Sequence, residues 1–405
     1  MNNIFFNKIF KFNNLLIIYL TIIFSCALIL LSKSYLLEVN NSISEWTINY
    51  QGGFVRRGLL GELFHLISFK FDIPLRDTIL FFLSLLFLLH YSLIYYFFKD
   101  VVNNKFNIIC FFSPLFIIFP LAELEALGRK DILIPTFFII YCILFDKTNF
   151  FIQLILLSIF SSILILTHEV SIFYLPFFWS VNFLNLKKNE ILKLNIYIFI
   201  ILLYFVLIFV IYNSSHSQSS LDLMCESLKK FHNENCGFGA HMLLRSLNDN
   251  VAELINSLEI HHILRGIVII IFGFLFLSIL IFNSNFDLQN KNVVNNLFNF
   301  NIISLFLFAF TLVPFAIAID WGRWFNLSYS MTLIFYFYCL REKKIYINKN
   351  RTNYLFINNK ILNYKKYFYI LLILLCFSWN PKAVHKEDIG SFPIYRILIK
   401  AIKYY

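Results

Sequence analysis

A chain of 405 residues could hold two or three soluble domains, but 59% of its residues are hydrophobic and 14% are charged, which excludes an ordinary water-soluble protein and leaves a multi-pass membrane protein. The net charge of +11 would suit a nucleic-acid partner, yet no basic segment carries a nucleic-acid motif. Lysines flanking apolar segments account for most of the excess, so no nucleic acid is expected and polar membrane lipid is the implied partner.

Lys8 and Lys11 precede an apolar run at 15–31 that is long enough to cross a bilayer and has no small-residue cleavage site after it, which predicts an uncleaved first span. Further spans are predicted at 78–98, 108–121, 132–145, 150–166, 170–183, 196–212, 267–282, 298–317, 326–340 and 367–378. The expected fold is all-α: a polytopic integral membrane protein with about eleven transmembrane helices in one domain, 1–405, without internal repeats. Around Thr167, His168 and Glu169 no loop separates two short spans, and one tilted helix with a re-entrant segment fits as well. An odd number of crossings from a cytoplasmic N-terminus keeps Lys187, Lys188, Lys193 and the basic loop 341–366 in the cytoplasm, as the positive-inside rule prefers.

The same topology leaves Arg56, Arg57, Arg76, Arg129, Arg245, Arg265, Arg323 and Arg396 outside. Topology alone does not choose arginine there, whereas bidentate recognition of phosphate or carboxylate does. In the first outer loop, 33–77, the string Y-Q-G-G-F-V-R-R-G-L-L-G-E sets Arg56 and Arg57 beside Gly52, Gly53 and Gly58, whose backbone N–H groups no side chain shields. The plainer reading is a juxtamembrane turn whose arginines meet lipid headgroups. Beyond it, Gly58, Glu62, His65, Ser68 and Asp72 recur at helical spacing, with Leu59, Leu60, Leu63, Phe64, Ile67 and Phe71 mostly opposite them. This pattern predicts an amphipathic interfacial helix ended by Pro74. The larger outer loop, 213–265, between the seventh and eighth spans, reads as a lid or acceptor-binding segment. Its His216, His232, His241, His261 and His262 show no metal-ligand spacing, and its Cys225 and Cys236 can bridge if the loop is extracytoplasmic. Cys26, Cys110, Cys142, Cys339 and Cys376 lie in or beside apolar segments and read as packing residues.

Five polar clusters fall on the outer side: Glu45; Arg56 with Arg57; Glu123, Glu125, Arg129, Lys130 and Asp131; His168 with Glu169; and Asp320 with Arg323. Each has a plain explanation, such as a helix pair for Glu125 and Arg129 or mutual neutralisation for Asp320 and Arg323. Ionisable groups flush against apolar helices are nevertheless expensive unless they pair or line a cavity. Together they supply a carboxylate for base or metal work, arginines for a leaving phosphate and an embedded floor for a lipid chain, with Glu62 and His65 as further binding candidates. Transfer of a sugar from a lipid phosphate needs such a set. A divalent cation would favour the carboxylates, but no metal ligand is assigned. No Walker loop, Rossmann fingerprint, zincin motif or serine elbow competes.

Glu45 in the first outer loop, I-P-L after the interfacial helix, G-R-K-D in the second outer loop and T-H-E-V-S-I-F-Y-L-P follow an order that resembles the first half of the type C glycosyltransferase superfamily. The resemblance implies a polyprenyl-phosphate-linked sugar as donor, with Glu45 as base or metal ligand, Asp131 as the second acidic position, and Arg56, Arg57 or Arg323 on the donor phosphate. Many members carry an acidic pair where this chain has Glu45 followed by Trp46. The string G-G-F-V-R-R-G-L-L-G is also similar to one in bacterial membrane proteins, which implies a bacterial envelope setting; the topology above then puts the expected site on the outer face of the bacterial cytoplasmic membrane. The alternatives in view are an O-antigen-type polymerase or ligase, and a transporter or flippase that makes no bond.

Overall fold

In a computed structural model of the chain, the residues described are 12–36, 41–102, 105–186, 190–213, 217–232, 234–286, 299–347, 365–384 and 390–391. Lys8, Lys11, Lys187, Lys188, His216, Arg396 and most of the basic loop 341–366 lie outside them.

The helices are α1 Phe12–Leu36, α2 Asn41–Ser44, α3 Leu59–Phe71, α4 Leu75–Phe98, α5 Lys105–Phe111, α6 Phe119–Ala122, α7 Leu133–Phe145 and α8 Phe150–Thr167. They continue as α9 Leu175–Phe183, α10 Ile191–Asn213, α11 Gln218–His232, α12 Phe238–His241, α13 Leu247–Ser257, α14 Ile260–Phe282, α15 Phe300–Thr311, α16 Trp321–Arg341 and α17 Lys365–Phe377. Two short antiparallel ribbons modify the all-α expectation: β1 Ser284–Phe286 with β2 Ile345–Ile347, and β3 Trp379–Asn380 with β4 Gly390–Ser391.

Among the described residues, five helices are long and apolar enough to cross a membrane: α1, α4, α8, α10 and α14. Their outward faces carry Ile22, Phe81, Phe151, Phe209 and Phe272, an apolar surface suited to lipid rather than water. The predicted span 326–340 lies in the unbroken, buried α16, and the remaining ones are broken or short, often beside a proline. Pro114 lies where 108–121 divides into α5 and α6, Pro176 sits in the first turn of nine-residue α9, and Pro314 falls in the 3-10 turn after α15. The first predicted crossing pair around Thr167 likewise resolves into α8, a 3-10 turn Glu169–Tyr174, and α9.

At the centre is α16, buried along nearly its whole length. It packs on α7, α14 and α15; α7 in turn meets α4 and α8, and α1 lies on α4. The polar residues of α16 answer the break at Pro114. Asn326 Nδ2 donates to the carbonyls of Leu115 and Phe116 at 2.8 and 2.9 Å, and Tyr329 Oη to that of Cys110 at 2.7 Å. Backbone groups freed from a helix at membrane depth need such partners. By contrast α10 packs mainly on α8 and remains largely uncovered.

The expected interfacial helix is α3, and its orientation is informative. Gly61, Phe64, His65 and Ser68 are buried against the protein, while Leu63, Leu66, Phe69 and Phe71 point outward. Gly61 is required by close approach: a Cβ there would stand 1.8 Å from the Ile48 carbonyl oxygen. The segments 217–232 and 234–257 pack over this region, joined by a Cys225–Cys236 disulfide and by Arg76 on Glu234 at 2.7 Å.

Candidate functional site

Elements distant in sequence meet around one cavity of about 710 Å³. Glu45, Arg56 and Arg57 line it from the stretch before α3 and Arg129 from the stretch before α7, His168 and Glu169 from the α8–α9 connection, and Asp320 with Arg323 from the start of α16.

Local structure explains the placement of each group. The 3-10 turn Glu45–Thr47 is pinned by Trp46, whose indole donates to the Gly128 carbonyl, and by Gly239, whose N–H donates to Ser44 Oγ at 3.2 Å. The glycine-arginine loop turns through Gly53 at φ 108° and Arg57 at φ 65°, a left-handed conformation unusual for a side chain as large as arginine. Glu62 ties that loop by accepting from the Tyr50 N–H and Gln51 Nε2, both at 2.8 Å. Lys130 Nζ donates to the Arg57 carbonyl at 2.8 Å and lies 5.7 Å above the Trp46 ring. The Arg57 guanidinium forks onto Glu169 at 2.7 and 2.6 Å, while Arg56 donates to the carbonyls of Met242 and Arg245, both at 2.9 Å, joining the outer segment to the loop.

Arg129 pairs with Glu45 and donates Nε to the Glu125 backbone carbonyl at 2.8 Å. The side-chain pair expected between Glu125 and Arg129 is thus replaced. Arg323 forks onto Asp131 at 2.7 and 3.0 Å and holds Asp320 at 2.8 Å, and His168 Nε2 lies 2.8 Å from Asp131 Oδ1. Gly322 permits this, because its N–H donates to the Ala383 carbonyl at 3.0 Å and a Cβ would meet the Lys382 carbonyl oxygen at 1.9 Å.

Not every expected site residue lines the cavity. Asp131 stands behind the cavity wall with both oxygens engaged, so it orients Arg323 and His168 and is poorly placed to take a proton itself. Lys130 points inward, Glu62 serves the loop, His65 packs edge-on to His232 at 5.0 Å, and Glu123 accepts from Asn380 Nδ2 at 3.3 Å. None of these four lines the cavity. Conversely Trp324, Arg245 and Glu253 line it without having been singled out for the site. Trp324 directly follows Arg323 in D-W-G-R-W; the Arg245–Glu253 pair spans a helix start and leaves no periodic signal.

The charges set the protonation states. Burial raises the Asp131 carboxyl, but the Arg323 charge and the His168 hydrogen bond outweigh it and hold it well below the usual range. Burial likewise opposes, and Arg57 overcomes, at Glu169. At Glu45 burial is outweighed by Arg129, Arg323 and Arg57, and the net shift is downward. Burial pushes Lys130 down to about 7. Some atoms stay open among the described residues: Glu45 Oε2 and His168 Nδ1 are buried without a hydrogen-bond partner, and neither Arg57 Nη1 nor Arg129 Nη2 has one. No three His, Cys, Asp or Glu side chains converge as metal ligands among those residues.

Comparison of the chain with protein families, with curated proteins and with solved structures finds no match. The chemistry therefore has to be read from the cavity. One wall is charged; the other is apolar, with Ile165, Val170 and Phe173 beside the α8–α9 turn, Phe205 and Ile208 on α10, and Pro314 and Ile317 after α15. A ligand with an anionic head and a hydrocarbon tail satisfies both.

Proposed function

We propose that this protein is a membrane glycosyltransferase that moves a sugar from a polyprenyl-phosphate carrier to an envelope glycan or lipid, at the outer face of the bacterial cytoplasmic membrane. The observation that carries the reading is the convergence of Glu45, Arg57, Arg129, His168 and Arg323 on one cavity with an apolar flank. The open donors Arg57 Nη1 and Arg129 Nη2 are suited to a phosphate whose negative charge grows as the sugar leaves. Glu45 Oε2 and His168 Nδ1 are the open acceptors available to a sugar or acceptor hydroxyl. The outer face is part of this proposal and is supported by the lysine distribution of the sequence, which the positive-inside rule reconciles with about eleven crossings from a cytoplasmic N-terminus. The Cys225–Cys236 bridge beside it suits an oxidising compartment.

The test is purified protein in lipid nanodiscs, supplied with polyprenyl-phosphate-linked hexoses and pentoses and an envelope lipid extract as acceptor. Transfer is expected, with Arg57→Ala lowering kcat/KM by roughly 10- to 100-fold, the value of one charge-assisted contact. Joining of whole lipid-linked oligosaccharides, with single sugars refused, would replace the reading by a polymerase or ligase. Exchange of intact lipid-linked sugar between leaflets without bond cleavage would replace it by a flippase.

A further inference from the structure

We infer that His168 is the general base of the transfer, with its ring set by Asp131 and Asp131 in turn set by Arg323; this rests on the glycosyl-transfer reading above. Asp131 accepts two bonds from Arg323 and lies 2.8 Å from His168 Nε2. An ionised carboxylate can only accept, so Nε2 carries the hydrogen and the lone pair of the neutral ring falls on Nδ1. That nitrogen is buried, has no partner among the described residues, and belongs to a side chain on the cavity wall. A buried acceptor without a partner is expensive, and an incoming hydroxyl would satisfy it.

The backbone holds the ring in place. His168 is extended at φ −157°, its N–H donates to the Leu164 carbonyl at 2.8 Å, and its own carbonyl accepts from the Ser171 N–H at 3.0 Å. The adjacent residues then divide the work: Glu169 fixes the Arg57 clamp for phosphate, and His168 faces the proton. Charges around the ring come from several elements, with Asp131, Glu45 and Glu169 as anions and Arg323 and Arg57 as cations. Glu45 is the weaker rival, since Arg129 engages Oε1 and surrounding guanidinium groups stabilise its anion, which makes it a better hydrogen-bond acceptor than proton acceptor.

In the step itself the acceptor O–H gives its proton to His168 Nδ1 while its oxygen bonds the anomeric carbon. The bond from that carbon to the phosphate oxygen breaks, and its electron pair leaves with the lipid phosphate. The imidazolium then returns the proton to solvent or to the released phosphate.

The experiment measures kcat, KM and pH profile for His168→Gln in the nanodisc assay, with polyprenyl phosphate binding as the control for folding. The expected result is a fall in kcat of about 10²-fold or more, donor KM changed by less than about threefold, and loss of the acid limb of the profile. Exogenous imidazole should restore part of the rate to His168→Ala. Nitrogen NMR of the wild-type protein, which needs no variant, should find Nε2 protonated and Nδ1 bare. An Nδ1–H tautomer overturns the inference. So does a His168→Gln enzyme with near-normal kcat and an intact acid limb that disappears instead in Glu45→Gln; glycosyl transfer would then stand with Glu45 as base. Wild-type protein that transfers no sugar from any lipid-phosphate donor removes both.

Discussion

Gly61→Ala sets helix propensity against packing, and the structure decides the sign. Inside a helix, alanine gains about 1 kcal/mol over glycine. Here the new Cβ would stand 1.8 Å from the Ile48 carbonyl oxygen, 2.6 Å from its carbonyl carbon and 2.8 Å from the Trp46 oxygen. All three are backbone atoms, so no rotamer change relieves the overlap, and α3 or the 45–48 segment must retreat by an ångström or more. Overpacking typically costs about 1–3 kcal/mol, and a rigid backbone clash belongs at or above the top of that range. The net expectation is a loss of about 2 kcal/mol. The same retreat displaces Glu45, and misplacement on this scale can cost on the order of 10²-fold in rate. Denaturant titration in mixed micelles measures the stability, and donor turnover measures the site; Lys70→Ala on the exposed side of α3 is the control, expected within about 0.5 kcal/mol of wild type. An alanine protein equal to or more stable than wild type, with unchanged turnover, would refute the close crossing.

Glu169→Gln leaves Arg57 facing an amide N–H₂ and should cost about 3 kcal/mol, less than a fully buried pair because the glutamate side chain is 23% exposed. Its carboxyl is held down in the folded state, so this contribution is complete above the ordinary carboxylate range and fades as pH falls through the lowered value; acid titration of wild type against Glu169→Gln checks the sign. Lys130 binds its proton less readily folded than unfolded, so stability should rise with pH between about 7 and its ordinary 10.5, and Lys130→Met should lose that slope in a pH series of denaturant titrations. Replacing Cys225 and Cys236 by serine opens a loop with a sequence separation of 11 and should cost about 2–3 kcal/mol, read as faster proteolysis of the outer segment and weaker donor binding.

The groups of the cavity were legible because membrane-flush charges are costly, and Glu45, Arg57, Arg129, His168, Glu169 and Arg323 do share a wall. Their pairings were not. Arg129 had Glu125 four positions away in sequence, but the carboxylate it found is far away in sequence, and only the folded chain brings Glu45 to it. Asp131 and Glu45 looked alike as outer-loop acids. Burial behind Arg323 and His168 separates them, and no local pattern encodes that. Long apolar runs such as α4 and α14 were readable from length alone, whereas α5 ends shortly before Pro114 and α6 and α9 begin at Pro120 and Pro176, and the carbonyls of Cys110, Leu115 and Phe116 depend on the distant Asn326 and Tyr329.

The contact between Gly322 and the stretch 382–383 makes the order of synthesis matter. The carbonyl that receives the Gly322 N–H, next to Arg323, belongs to a residue that leaves the ribosome some sixty positions later, so this contact cannot form while α16 is being inserted. The start of α16 would thus enter the bilayer with its Gly322 N–H awaiting the partner that Ala383 later supplies.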